Sequence, residues 1–181
     1  LVGRGCLAQL KDEIGTLGCK KALVVSDKFL TENGVVEKVT KVLDQVGIEH
    51  TLYNDVKQNP SVANVEGGLE VLKKENCDFI VSIGGGSPQD CGKAISVLAT
   101  NGGKITDYEG VNKSQKKCLP IVAIATTAGT SAEVTINYVI TDEETHIKMI
   151  MVDRNTLASI TVNDPELMLS KPAGLTAATG M

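Results

Sequence analysis

Short apolar runs alternate along the chain with stretches in which apolar residues recur every three or four positions. The runs are typical of buried strands, and the spaced positions are typical of helices with one face on a core. The predicted strands cover residues 22–26, 50–53 (weaker), 79–83, 119–125 and 159–162. Strands separated by helices predict βαβ units, and therefore an α/β fold with a doubly wound, mainly parallel, Rossmann-like sheet.

Helix boundaries can be predicted in two of the intervening segments. Val36, Val39 and Leu43 recur at helical spacing before Gly47, which is placed to end that helix. Ser61 follows an Asn-Pro turn and is predicted to cap the next helix. A third helix is expected after a run of three glycines.

Residues 135–151 depart from this alternation. Apolar runs at 138–140 and 149–152 flank the polar segment Asp142-Glu143-Glu144-Thr145. This pattern predicts a β-hairpin added to the α/β repeat.

Composition and charge narrow the possible partners. The chain is 42% hydrophobic with no tryptophan, so its core is expected to consist of Val, Ile, Leu and Ala. The net charge of −4 and the lack of a basic stripe predict no nucleic-acid partner. No apolar run approaches the roughly 20 residues that span a bilayer, so no membrane partner is expected. Five scattered cysteines without a C-x-x-C motif predict reduced thiols, and no signal peptide is visible, so we expect a cytoplasmic protein.

The strongest chemical signal is Gly84-Gly85-Gly86-Ser87-Pro88, directly after the third predicted strand. Ligands of such sheets bind at the carboxyl ends of strands. Because glycine has no Cβ, the main-chain amides of this loop can approach a phosphate where the next helix begins. The alternative is a plain tight turn between strand and helix. The loop is neither G-x-G-x-x-G, because Gln89 stands where a glycine is needed, nor a Walker loop.

Two further post-strand segments are polar. Asp27 follows the first strand, where a carboxylate can bind a ribose diol or cap the next helix, and the sequence leaves both open. The segment 126–131 (TTAGTS) can bind a nucleotide or satisfy strand-end groups. His50 and His146 lie in no metal-ligand spacing.

Four ordered motifs carry a resemblance to a known family. They are GGGSPQD at 84–90, TTAGTSAEVT at 126–135, NDPELM at 163–168 and LTAATGM at 175–181. Together they resemble the iron-activated (group III) alcohol dehydrogenases. Within that family, the motifs are most similar to those of lactaldehyde reductases and 1,3-propanediol dehydrogenases, and they do not choose between the two.

The resemblance implies that residues 1–170 form a dinucleotide-binding domain for NAD, and that 171–181 begin an all-helical metal-binding domain. It favours Asp27 as the ribose-binding acid, and it implies that Lys148 lies near the nicotinamide ribose and Asp90 beside the nicotinamide. The implied cofactor-binding residues are Asp27, Asn59, Gly85, Gly86, Ser87, Asp90, Thr126, Thr127, Thr130, Asn137, Lys148 and Leu167.

The resemblance also implies a divalent metal, iron or possibly zinc, in the full-length protein. Its ligands, one aspartate and three histidines, are expected after Met181, so no catalytic or metal residue is assigned within this chain. The implied activity is hydride transfer between NAD and a small alcohol or aldehyde, by a homo-oligomer when full length. Two alternatives remain: an isolated nucleotide-binding module without catalysis, and a glycerol dehydrogenase-like relative.

Overall fold

Five parallel strands form the central sheet of the protein, whose computed structural model describes all residues, 1–181. The strands are β1 (Lys21–Val25), β2 (Glu49–Tyr53), β3 (Phe79–Gly84), β5 (Ile121–Ala125) and β8 (Ile160–Val162). They lie in the order β2-β1-β3-β5-β8, and every neighbouring pair is parallel. The predicted strands and the doubly wound parallel sheet are therefore confirmed.

Helices connect the strands. They are α1 (Leu10–Ile14), α2 (Lys28–Glu32), α3 (Val35–Gln45), α4 (Val62–Lys74), α5 (Gly86–Asn101) and α6 (Ala173–Gly180). Short 3-10 turns cover Cys6–Gln9, Gly15–Leu17, Ile105–Tyr108, Arg154–Thr156 and Pro165–Met168. Gly47 follows α3 with φ 71°, the left-handed conformation that ends a helix, as predicted. None of the helices has the length and apolar character needed to cross a bilayer.

The sheet has a hydrophobic core on each face, because successive side chains of a strand point in opposite directions. In β1, Leu23 and Val25 belong to the core that contains residues of α4 and α5. Ala22 and Val24 belong to the opposite core, which contains residues of α1 and α3. The two faces explain why the strand sequences are apolar throughout rather than alternating.

A second, smaller sheet stands beside α5. Strands β6 (Asn137–Asp142) and β7 (Ile147–Val152) pair antiparallel, which confirms the predicted hairpin. The two-residue strand β4 (Gly110–Val111) adds to β7 in parallel and was not predicted, because so short a segment has no periodicity. Tyr138 and Ile140 of the hairpin are buried in the same core as α5, which fixes this sheet against the domain.

The chain reverses its direction across the sheet between β1 and β3. These strands are neighbours, although β2 lies between them in the sequence and on the other side of β1 in the sheet. Ligands of doubly wound sheets bind in the crevice at the carboxyl ends of two such strands. Asp27 follows β1 and the glycine loop follows β3, so the topology brings these two predicted features to one crevice.

The predicted cap of α4 offers a test of the local folding argument. Ser61 Oγ accepts a hydrogen bond from Asn64 N, and Asn64 Oδ1 accepts one from Ser61 N. We expect Ser61→Ala to lower the free energy of unfolding by about 1 kcal/mol, because one helix amide loses its acceptor. Ser61→Thr, which keeps the hydroxyl, is the control, and urea denaturation is the measurement. An unchanged stability of the alanine variant would contradict the capping role.

Candidate functional site

A cleft of about 410 Å³ opens at the carboxyl ends of β1 and β3. Its walls come from the loops after β1, β2, β3 and β5, and from the segment around α6. Six of the residues predicted to bind a cofactor line it together: Asp27, Gly85, Gly86, Ser87, Thr127 and Thr130. The cleft therefore gathers residues that lie more than a hundred positions apart in the sequence.

The glycine loop forms the junction of β3 and α5. Gly85 is the N-cap of the 16-residue helix α5, and Gly86 is its first residue. A Cβ on Gly85 would lie 2.6 Å from Thr127 Oγ1, whereas a Cβ on Gly86 would meet nothing closer than 3.9 Å. The first amides of a helix have no partner inside it, and this end carries the positive pole of the helix dipole. The junction therefore suits an anion that contacts main-chain amides.

Asp27 has the capping role that the sequence left open. It is the N-cap of α2, and its Oδ1 accepts a hydrogen bond of 2.8 Å from Leu30 N. The capping interpretation is confirmed. The same side chain also lines the cleft, so binding a ribose diol stays a prediction that capping does not exclude.

The threonine segment after β5 is joined to the glycine loop. Thr126 N donates to Gly84 O over 3.1 Å, which holds the two loops side by side. Thr126 itself is fully buried, and its Oγ1 has no hydrogen-bond partner in the protein. Thr127 and Thr130 are the members of this segment that line the cleft.

Three other predicted residues lie outside the lining of the cleft, on exposed positions. Lys148 Nζ of β7 donates to Asn59 Oδ1 over 2.9 Å, and Asn59 follows Gln58, which lines the cleft. Asn137 begins β6, and Lys148 pairs with Thr141, which lies four residues farther along that strand. The pairing of Asn59 with Lys148 unites two residues that are 89 positions apart.

Leu167 is the predicted cofactor-binding residue whose surroundings fit a binding role least. Its side chain is 2% exposed and belongs to the core shared with α1 and α3. It lies in the 3-10 turn Pro165–Met168 and does not line the cleft. Its predicted contact with a cofactor stays a prediction.

Gln89, at the position where the usual fingerprint has its third glycine, has a structural role. Its side chain is 1% exposed, and its Nε2 donates to Ile124 O and Ser82 O. Ser82 Oγ in turn donates to Gln89 Oε1. The glutamine thus satisfies carbonyls of β3 and β5 beneath the glycine loop. The usual motif instead uses a glycine there for close helix–strand packing.

Lys93, which sequence reasoning missed, anchors residues 132–137, which follow the threonine segment, to α5. It is 1% exposed, and its Nζ donates to the carbonyls of Ala132, Thr135 and Asn137 at 2.7, 2.7 and 2.8 Å. Three acceptors match the three protons of an ammonium group. Burial lowers the pKa of Lys93 to about 8. The available signal was a single lysine inside a helix that is otherwise apolar in its middle, because a buried lysine needs partners.

The sheet order and the glycine-lined cleft together define a Rossmann-like α/β domain. The family model of the iron-containing alcohol dehydrogenases matches residues 1–165, and the chain belongs to that family. The resemblance seen in the motifs is thereby confirmed.

Several relatives show the extent of the match. Alcohol dehydrogenase 4 of Schizosaccharomyces pombe is 52% identical over 181 residues, which cover all of this chain and 43% of the relative. Lactaldehyde reductase of Escherichia coli K12 is 44% identical, with 99% of this chain and 47% of the relative covered. The chain therefore spans about half the length of the curated relatives it matches.

Solved structures agree with this assignment. The crystal structure of 1,3-propanediol oxidoreductase superimposes with a TM-score of 0.95 at 44% identity, covering 99% of this chain and 48% of that one. Sulfoacetaldehyde reductase from Bifidobacterium kashiwanohense, solved in complex with NAD⁺, superimposes with a TM-score of 0.88 at 33% identity, with 99% and 48% covered. The fold is therefore that of the corresponding part of these dehydrogenases.

The residues present do not fit the metal that the family name implies. No group of three or more His, Cys, Asp or Glu side chains is close enough to hold a metal ion. No step of a reaction is therefore assigned to a metal in this chain.

Asp90 has a pKa that can be tested directly. Its Oδ2 accepts a hydrogen bond of 3.1 Å from Val139 N of the hairpin, and burial raises its pKa from 3.8 to about 6. Because the folded state disfavours the ionised form, ionisation reduces stability as the pH rises from about 4 to 6. We expect Asp90→Asn, which keeps the acceptor for Val139, to raise the free energy of unfolding above pH 6 by up to about 3 kcal/mol.

The measurement is urea denaturation of both proteins at pH 4 and pH 7.5. The gain should nearly vanish at pH 4, where Asp90 is largely protonated when folded. A difference of the same size at both pH values would show that the charge of Asp90 is not its cause.

Proposed function

We propose that this chain is the NAD-binding part of a metal-dependent alcohol dehydrogenase or aldehyde reductase. The observation that carries the proposal is the glycine-lined cleft at the reversal point of the sheet, in a chain that belongs to the iron-containing alcohol dehydrogenase family. The NAD⁺ complex of the related sulfoacetaldehyde reductase supports NAD as the cofactor.

In the proposed binding mode, the amides of Gly85, Gly86 and Ser87 contact the diphosphate. The Asp27 carboxylate accepts hydrogen bonds from a ribose diol, and its charge disfavours a 2′-phosphate. Further proposed contacts come from the other predicted residues: Asn59, Asp90, Thr126, Thr127, Thr130, Asn137, Lys148 and Leu167.

The bound cofactor would supply the nicotinamide ring that accepts or donates a hydride. The residues of this chain bind and orient it, because reacting atoms must meet at roughly 3–3.5 Å. We propose a small alcohol, diol or aldehyde as the substrate, because the relatives include a lactaldehyde reductase, a 1,3-propanediol oxidoreductase and a sulfoacetaldehyde reductase.

The remaining parts of the enzyme are also proposals. We propose that residues 1–170 form the cofactor domain, that 171–181 begin a helical domain, and that ligands for iron or zinc follow Met181. The chain matches less than one half of the length of these relatives. A homo-oligomer in the cytoplasm stays our expectation for the complete enzyme.

A second candidate function is a nucleotide-binding module without catalysis, which the lack of a metal-ligand group within the chain favours for this polypeptide. Incubation of the full-length protein, beside the present chain, with NADH, small aldehydes and Fe²⁺ or Zn²⁺ separates the two. NADH oxidation by the full-length protein supports the dehydrogenase, and NADH binding without oxidation by both proteins identifies a binding module. The match to iron-containing alcohol dehydrogenases favours that family over a glycerol dehydrogenase-like relative.

Gly86→Ala tests the diphosphate contact. The Cβ at this position meets no atom closer than 3.9 Å, so the fold accepts it, and alanine favours a helix more than glycine does. The same methyl group would occupy the space through which a diphosphate approaches the helix amides. We expect unchanged or higher thermal stability and at least about tenfold weaker NADH binding, measured by NADH fluorescence.

Two results would contradict the proposed function. One is a wild-type chain that does not bind NADH. The other is a Gly86→Ala variant that binds NADH as tightly as the wild type, because the glycine would then have no role in cofactor approach.

Asp27→Asn separates ribose binding from helix capping. Asparagine keeps the oxygen that accepts from Leu30 N, so the free energy of unfolding should change little. Removal of the charge should weaken NADH binding and narrow the preference for NADH over NADPH. The affinities for both dinucleotides are measured by fluorescence. An equal loss of affinity for NADH and NADPH would show that Asp27 does not bind the ribose.

A further inference from the structure

Lys171, a basic residue that none of the sequence motifs contains, lines the cleft. It lies in the segment between the 3-10 turn Pro165–Met168 and α6, and it lines the cleft together with Asp27 and the glycine loop. Its main chain is held in place, since Lys171 N donates to Met168 O over 3.1 Å. The side chain therefore starts from a fixed point on the wall of the cleft.

The ammonium group of Lys171 lies between the two loops that form the proposed diphosphate site. Nζ is 3.9 Å from the position of a Cβ built on Gly85. It also donates a hydrogen bond to Thr127 Oγ1. Both neighbours belong to the loops after β3 and β5, so the cation stands directly beside the start of α5.

The charge of the site favours a ligand at this cation. Lys171 forms no salt bridge. Burial disfavours the charged form of its half-buried ammonium group and lowers the pKa below its usual range, although the nearby charge of Asp27 acts in the opposite direction. The glycine loop offers partial positive charge but no formal charge, and no lysine follows it as in a Walker loop. A diphosphate bound at the glycine loop would therefore lie close to the formal positive charge of Lys171.

We propose that Lys171 is a cofactor-binding residue whose ammonium group contacts the diphosphate of the dinucleotide held by the glycine loop. The proposal rests on the proposed function and adds a residue to it. Hydrogen bonds to charged groups are stronger than neutral ones, so this contact should contribute measurably to affinity.

Lys57 provides a matched comparison within the same cleft. It also lines the cleft, but its side chain is exposed. If the cleft only needed positive charge nearby, the two lysines would be equivalent. If the contact with the diphosphate is specific, Lys171 alone should matter strongly.

The test uses Lys171→Gln, Lys171→Arg and Lys57→Gln. Glutamine keeps a donor for Thr127 and removes the charge, whereas arginine keeps the charge. NADH affinity is measured by fluorescence, and ADP and adenosine affinities by calorimetry, at low and high salt.

We expect Lys171→Gln to bind NADH and ADP at least about tenfold more weakly, with adenosine affinity changed by less than about twofold.

The arginine variant should recover most of the affinity, and Lys57→Gln should lose less than about threefold. Salt should weaken NADH binding more in the wild type than in Lys171→Gln, because screening acts on the charge that the variant lacks. Thermal denaturation of each variant shows that the fold is retained, and the arginine variant serves as the test if the glutamine variant does not fold.

Several outcomes would overturn the proposal. They are an unchanged NADH affinity in Lys171→Gln, an equal loss in Lys57→Gln, or an equal loss for adenosine. If the arginine variant alone folds, affinity within about threefold of the wild type supports the contact, and complete loss overturns it. Failure of the wild type to bind NADH refutes the proposed function itself. NADH binding by the wild type with unchanged affinity in Lys171→Gln refutes this inference alone.

Discussion

The close approach of two loops at the top of the sheet is the constraint on which the site depends. Gly85 and Thr127 come so near to each other that a Cβ on the glycine would lie 2.6 Å from the threonine hydroxyl. The approach is possible because β3 and β5 are adjacent and in parallel register up to Gly84 and Ala125. A side chain at position 85 would force the loops apart and move the first turn of α5 away from the cleft.

Buried polar side chains hold this arrangement from below. Gln89 satisfies the carbonyls of Ser82 and Ile124, and Lys93 satisfies three carbonyls in residues 132–137. Both residues lie on α5, so the helix that begins at the glycine loop also fixes residues 132–137, which follow the threonine segment. Removing either side chain would leave buried acceptors unpaired, which costs more than an ordinary surface substitution. The rigid part of the site is therefore α5 with its polar anchors.

The cleft is electrically asymmetric. Asp27 contributes negative charge at the end of β1, while the start of α5 and Lys171 contribute positive charge beside β3 and β5. On the proposed binding mode, this asymmetry matches a dinucleotide, whose ribose offers hydroxyl donors and whose diphosphate is anionic. One carboxylate can cap α2 and face a ribose at once, since a single oxygen serves the cap.

Much of the fold and part of the site follow from local sequence patterns. Apolar runs predicted the five parallel strands, Ser61 and Gly47 predicted the ends of helices, and the motifs indicated the family. These features depend on residues near one another in the chain, where the period of hydrophobic positions and the φ preference of glycine act directly. The glycine loop was recognisable for the same reason.

The tertiary structure alone decided which of these residues meet. The reversal of the sheet between β1 and β3 brings Asp27 beside Gly85, and the fold places Lys171 against Thr127 and Lys93 among three distant carbonyls. It also buries Leu167, a residue that the family motif had pointed to. Such contacts join segments separated by tens of residues or more, and no local period encodes them. They arise only when the order of strands and the packing of helices are fixed.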